Sequence, residues 1–264
     1  MSSVAIQGNA SGAGVFTIAS PNSASSYTAT LPQQTGTLVA GTSTANAVIP
    51  AGTTAIAPVL LTSGTNLTSA TAGAMEYDGK VIYATPQGTQ RGVVPGSQFF
   101  RLNADLAGAN ATGAQNILGV GVTLSTSTVY AFQLYFALTK SAGATSRTVS
   151  LGFGGTATLN NFAYNAVVNS VNSAYPTGAL TSTPSTLDYN SASAIVIVAA
   201  STSTATQAMC NLQGTVSINA GGTFIPQYTL SAAPGGAFST VTGSYMLIYP
   251  ISASGANTSV GAWA

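Results

Sequence analysis

GTVSINAGGTFIPQYTLSAAPGGAFSTVTGSYMLIYPI, residues 214–251, reads as three strands joined by two glycine-containing loops. The strands are expected at Thr215–Ile218, Phe224–Leu230 and Ser244–Ile251. In the second, Phe224, Pro226, Tyr228 and Leu230 alternate with Ile225, Gln227 and Thr229, the period-two pattern of a strand with one packed face. Pro226 has no backbone donor, so this strand is expected at a sheet edge or bulged. In the third strand, Tyr245, Leu247, Tyr249 and Ile251 alternate with Met246, Ile248 and Pro250. Both faces are apolar, which places it centrally or against another copy of the chain. The aromatic face is assigned to the interior, and Met246 and Ile248 to the contact between copies. A slip of one residue exchanges the two faces.

The same alternation extends toward the N-terminus, and residues 97–264 form the main domain. Phe99, Phe100 and Leu102 open its core. Val120, Val122 and Leu124 follow, then Tyr130, Phe132, Leu134, Phe136 and Leu138 on one face. Val149, Leu151 and Phe153 share a face, Gly154-Gly155 ends that strand, and Phe162 with Tyr164 marks another. Ile195-Val196-Ile197-Val198 is a continuous β-branched run, expected to be covered on both faces. About eight strands result, the number of a jelly-roll β-sandwich. Ala163–Val171 is the nearest approach to a helical pattern, and Asn165–Ser193 reads as a long exposed loop region with a strand fragment.

Charge is almost absent. Five basic and four acidic residues make up 3% of the chain, for a net charge of +1, against about 25% charged residues in ordinary soluble domains. All of them fall between Glu76 and Asp188, and six lie between Glu76 and Asp105. A surface of hydroxyls, amides and backbone is little affected by salt or pH and lacks the repulsion that keeps monomers apart. Such a surface suits assembly. The basic residues are scattered, so no phosphate-binding patch is expected and nucleic acid is excluded as a partner. The single cysteine, Cys210, reads as a small buried side chain. Neither a secretory signal nor an apolar run near the ~20 residues of a membrane span occurs.

Residues 1–45 carry little apolar mass, with short strand candidates at Val15–Ile18 and Tyr27–Leu31, and read as an extended arm ordered by a partner. Residues 46–96 form a second unit. Within it Met75-Glu76-Tyr77-Asp78-Gly79-Lys80-Val81-Ile82-Tyr83 is a hairpin signal, with Asp-Gly expected in a type I′ turn and Glu76 facing Lys80 across it. Catalysis is not expected. Without histidine, Ser-His-Asp and Cys-His arrangements are impossible. The only closely spaced acids, Glu76 and Asp78, sit in this hairpin. The glycine pairs lack the Lys-Ser/Thr of a phosphate loop. No catalytic, cofactor-binding or metal-ligating set is assigned.

Three segments carry a resemblance. Thr30–Gly41 (TLPQQTGTLVAG), Leu61–Val94 (LTSGTNLTSATAGAMEYDGKVIYATPQGTQRGVV) and residues 214–251 are similar to elements recurring in virion appendage proteins of tailed phages of marine and freshwater (cyanophage) type. The resemblance implies a C-terminal trimeric jelly roll of the tumour-necrosis-factor or C1q kind. It also implies a non-enzymatic virion protein made in the host cytoplasm. In that arrangement residues 1–45 attach to capsid, portal or tail, 46–96 form a neck, 97–264 form the head, and Met246 and Ile248 meet at the threefold axis. Tyr164, Tyr175 and Tyr189, set among Asn165, Asn169 and Asn190, offer rigid aromatic area beside small hydrogen-bonding groups, a mixture suited to a host receptor or glycan. Lining a subunit interface is the competing role for these tyrosines. Two placements follow, a short fibre or spike and a capsid decoration protein; the absence of a repetitive shaft favours a small appendage or decoration. A polysaccharide hydrolase is disfavoured by the missing histidine and sparse acids.

Overall fold

The computed structural model describes residues 49, 51–173, 185–255, 257 and 259–263, and all regular structure among them is β. The arm at residues 1–45, with its two strand candidates, lies outside the described residues. The chain divides into two compact units, Met1–Val59 and Leu60–Ala264. In the first, the described residues form a turn in which Thr53 N donates to Ile56 O and Thr53 Oγ1 accepts from the amides of Ala55 and Ile56.

The second unit begins with a three-stranded antiparallel sheet, β1 (Met75–Tyr77), β2 (Ile82–Ala84) and β3 (Gly92–Val94), in that order. The β1–β2 hairpin forms as expected, but its connection differs from a two-residue I′ turn. Tyr77 pairs with Ile82, leaving four residues in the loop, and only Gly79 there has positive φ. Asp78 supplies the turn differently: its Oδ1 accepts from the amides of Lys80 and Val81 at 2.8 Å each, and its Oδ2 accepts from Tyr83 Oη at 2.9 Å. Burial opposes ionisation of Asp78, but these bonds outweigh it and hold the carboxyl below its ordinary range. The expected Glu76–Lys80 pair is not made. Glu76 instead takes a bidentate bond from Arg91, at 2.8 and 3.1 Å, while Lys80 Nζ reaches Thr126 O.

The rest of the unit is two antiparallel sheets face to face. In chain order its strands are β4 (Gln98–Arg101), β5 (Leu106–Ala107), β6 (Gln115–Asn116), β7 (Val122–Leu124), β8 (Thr128–Lys140), β9 (Arg147–Gly154) and β10 (Thr158–Val171). Then come β11 (Ser185–Tyr189), β12 (Ile195–Ser201), β13 (Thr206–Ala220), β14 (Gly222–Leu230), β15 (Ser239–Thr240) and β16 (Tyr245–Ala253). The larger sheet runs β11-β10-β13-β8; along the free side of β8, one end pairs with β16 and the other with β15. β4 flanks β16, and β5 flanks β15. The smaller sheet runs β12-β9-β14, with β6 and β7 end to end beside β14.

Alternation builds the core between them. Phe132 and Phe162 point in from the larger sheet and meet Phe153 and Phe224 from the smaller one, Phe153 lying edge-on to Phe162 at 4.7 Å and stacked on Phe224 at 5.0 Å. Leu134, Phe136, Leu138, Val149 and Leu151 are completely enclosed. Phe224, Pro226, Tyr228 and Leu230 face this core as the alternation predicts. β14 is nevertheless not an edge strand. Pro226 sits where β7 ends and β6 begins, and its carbonyl accepts from Ile117 N. Its missing donor therefore falls in a gap of the ladder, on the side where no partner strand needs it.

Four expectations change. The region from Asn165 is not wholly loop: β10 continues to Val171 and pairs with β13 and β11, with Ala166 and Val168 inside and polar Asn165 and Asn169 on the other face. Ile195–Val198 is not covered on both faces. β12 is an edge strand in which Val196 is half-exposed, and a register shift between Val196 and Val198 turns Ile197 and Val198 inward together. Of Phe99, Phe100 and Leu102, only Leu102 is core. The last strand is in the opposite phase. Met246 pairs with Leu134 and Ile248 with Phe132, both interior, so Met246 and Ile248 are buried, 4% and 2% exposed. Cross-strand neighbours share a face, so β8 sets the phase that a two-sided apolar strand leaves open.

Candidate functional site

That phase puts Tyr245, Leu247 and Tyr249 on the outer face of the larger sheet, each partly exposed. Phe99, 61% exposed, lies opposite Leu247 on β4, and Tyr135 lies opposite Tyr245 on β8. The Tyr245 ring is 5.7 Å from that of Phe99 and 6.0 Å from that of Tyr135, so the three form one aromatic patch. Gln133 and then Asn211, Gln213 and Thr215 carry the face on toward β10. Arg101 lies on this face opposite Tyr245, and Asp188 is paired with Asn165 at its far edge. Met246 and Ile248, assigned to the contact between copies, instead floor an apolar cleft of about 300 Å³ between the sheets, with Phe100, Leu118, Val122 and Pro226 around it.

The second feature is a shallow trough of about 530 Å³ across β10, β11 and β13. It brings together Tyr164, Asn165, Tyr189 and Asn190, four residues grouped by the sequence as a contact surface, and adds Gln213, Gly214 and Thr215, which it did not identify. Tyr175 lies outside the described residues. Asn169 lies farther along β10, opposite Met209.

Tyr164 and Tyr189 play unequal parts. Tyr164 is 4% exposed, so its ring is structural, a correction to its assignment as a direct contact. It lies edge-on to its cross-strand partner Tyr189 at 5.9 Å, and both rings are on the inner face of the larger sheet, with Tyr189 partly exposed at the edge. Burial, with Cys210 and Tyr189 nearby, raises the Tyr164 hydroxyl well above the usual phenol range, and the oxygen has no hydrogen-bond partner among the described residues. Gly214 pairs with Tyr164 on one side and Phe132 on the other. A Cβ there would come within 2.7 Å of Tyr164 Cβ, so glycine is needed for β10 and β13 to approach each other beside the buried Tyr164 side chain. Cys210, opposite Val168, is pushed up to about 12 by burial and behaves as an inert packing group.

Sequence reading did not anticipate a buried cation pair. Lys140 and Arg147 flank the β8–β9 turn and are each 2% exposed. Lys140 Nζ donates to the carbonyls of Gly143, Ser203 and Thr204 at 2.5–3.2 Å. Arg147 donates to Ser201 O at 2.7 Å, Ser203 O at 2.8 Å and Thr206 Oγ1 at 2.6 Å, with its guanidinium 5.7 Å from the centre of the Phe238 ring. Among the described side chains neither pairs with a carboxylate. Their partners are loop carbonyls, which no residue-type pattern reveals. The pair ties the β12–β13 loop to the β8–β9 turn.

Among the described residues, no group of three or more Cys, Asp or Glu side chains is placed to hold a metal ion. No family model and no curated protein matches the chain. Among solved structures, one similar chain comes from "Structure of infectious bursal disease virus Gx strain", at 9% identity and a TM-score of 0.17. The match covers 68% of this chain and 44% of that one, so the chain spans less than half the length of this structural neighbour.

Proposed function

We propose that this chain is a structural protein of a tailed-phage virion, a short homotrimeric appendage with a jelly-roll head exposed on the particle. Residues 1–45 attach it to capsid, portal or tail, and it works without catalysis. The observation that carries the reading is the outer face of the larger sheet. Tyr245, Leu247, Tyr249, Phe99 and Tyr135 form an aromatic patch continuous with an amide surface almost free of charge. Copies of the chain can meet there without like-charge repulsion. Five strands about 4.8 Å apart and about eight residues long present roughly 600 Å² before side-chain relief, close to the about 800 Å² per partner of a stable interface. The resemblance of residues 30–41, 61–94 and 214–251 to phage appendage proteins supports the virion assignment, and the pairing of β4 with the last strand supports a jelly roll.

Equilibrium sedimentation of the full chain tests the assembly. Wild type is expected as a trimer and Leu247→Lys as a monomer with an unchanged urea midpoint, whereas Met246→Lys should unfold the head. A trimer that survives Leu247→Lys would remove the face from consideration. Immunogold labelling of intact particles tests the location: label on the capsid faces identifies a decoration protein, label at the tail a fibre or spike, and unlabelled particles rule out the virion reading.

A further inference from the structure

We infer that the bare face of the small sheet β1-β2-β3 is a second contact between copies of the chain, where three such faces close an apolar column around the threefold axis. The inference rests on the reading of the chain as a homotrimer. Register defines the face. Met75 pairs with Ala84 and Tyr77 with Ile82, while Ile82 pairs with Val94 and Ala84 with Gly92, so these six residues point to one side. None of them is charged. The four charged residues between positions 60 and 96 are engaged elsewhere: Glu76 and Arg91 bond each other on the Tyr83 side, Asp78 closes the hairpin turn, and Lys80 Nζ reaches Thr126 O.

For a monomer the two sides are reversed. An antiparallel sheet with one wet face turns its polar residues to water and its apolar ones to the core. Here the side that carries the ion pair is the covered one: Tyr83 is buried there, with Asn66 and Val260 beside it and Arg91. The apolar side is bare among the described residues. Met75 is 62% exposed, Ile82 and Val94 are each more than a third exposed, and a Cβ added at Gly92 would meet nothing nearer than the Ala84 carbonyl at 3.9 Å.

Size and chemistry select a second copy as the occupant. Three strands about 4.8 Å apart and three residues long present roughly 150 Å², far below the about 800 Å² per partner of a free-standing interface. Of the side chains on the face, only the Tyr77 hydroxyl makes hydrogen bonds, so the face has little with which to select an unlike protein. It suits a surface that other contacts already hold close, where effective concentration replaces affinity. In the trimer those surfaces are the same face of the other copies, which meet it without like-charge repulsion.

Peroxide footprinting of the full chain tests the contact, with oxidation at each methionine read by mass spectrometry and buried Met246 reporting intact folding. Met75 is expected to oxidise slowly in the wild-type trimer and to lose that protection in the monomer, obtained with Leu247→Lys or by dilution. In sedimentation, Ile82→Lys should raise the concentration of half-dissociation at least about tenfold. Ile82→Thr, which keeps a β-branched residue in the strand, should raise it less, with Met246 still protected. Met75 oxidised as fast in the trimer as in the monomer, or half-dissociation unchanged by Ile82→Lys, would overturn the inference and leave the trimer standing. Met75 still protected in the monomer would overturn it as well, because the chain itself then covers the face. A wild-type chain that sediments as a monomer at every concentration would overturn both readings.

Discussion

At the scale of single residues, the structure turns on side chains whose importance lies in what surrounds them. Gly214 has no special φ, yet an added methyl would strike the Ala163 carbonyl and the Tyr164 side chain. Gly214→Ala is expected to cost about 1–3 kcal/mol, seen as a lower urea midpoint at unchanged slope. Arg147→Met keeps the bulk but leaves the Ser201 and Ser203 carbonyls without those donors. A loss of at least about 2 kcal/mol is expected by the same measurement. Lys140 brings a pH dependence. Burial, and then Arg147, lower its pKa from 10.5, so the folded chain sheds this proton before the unfolded chain does. The cost of enclosing the charge therefore applies at neutral pH and is relieved as pH rises through the folded pKa toward 10.5. Relative to Lys140→Met, wild type should gain stability across that alkaline window. None of these three roles was legible beforehand, because Gly, Lys and Arg show no periodicity and the partners are backbone atoms far along the chain.

Among the elements, strand periods were readable and strand phases only partly so. β8 alternates aromatic and aliphatic residues with Gln133, so its inner face is plain. β16 has apolar residues on both faces, so its phase came from pairing with β8. The hairpin was located from Asp78-Gly79, but the partner of Glu76 was not, since Arg91 arrives just before β3, fifteen positions on. That arrangement makes the small sheet acid-sensitive. Hydrogen bonds from Arg91 and Leu67 hold Glu76 below 4.5, and those on Asp78 outweigh its burial and hold it below 3.8. Depressed carboxylates stabilise the folded state above their unfolded values, and that contribution is lost as pH falls through the lowered ones. Amide exchange at residues 74–94 should accelerate below about pH 4 while β8 and β13 stay protected, and Glu76→Gln should flatten the acid limb. Uniform exchange across both regions would contradict this.

For the whole molecule, the scarcity of charge predicts indifference to ionic strength. The thermal midpoint and the sedimentation coefficient of the full chain are expected to stay constant from about 0.1 to 1 M NaCl, where screening lengths fall from about 10 to 3 Å; dissociation in salt would show an electrostatic interface. Composition and alternation by themselves determined the all-β class, the main core residues and the exclusion of histidine chemistry, because these depend on residue type and on the fixed two-residue repeat of a strand. The tertiary structure decided the phase of β16, and with it the exchange of Met246 and Ile248 for Tyr245 and Leu247 on the outer face. It also decided the burial of Lys140 and Arg147 and the meeting of Asn165, Tyr189 and Gln213 in one trough. Those outcomes depend on which strands lie side by side, and pairing between residues as far apart as Tyr135 and Tyr245 is set by the packing of the whole sheet, beyond the reach of any local pattern.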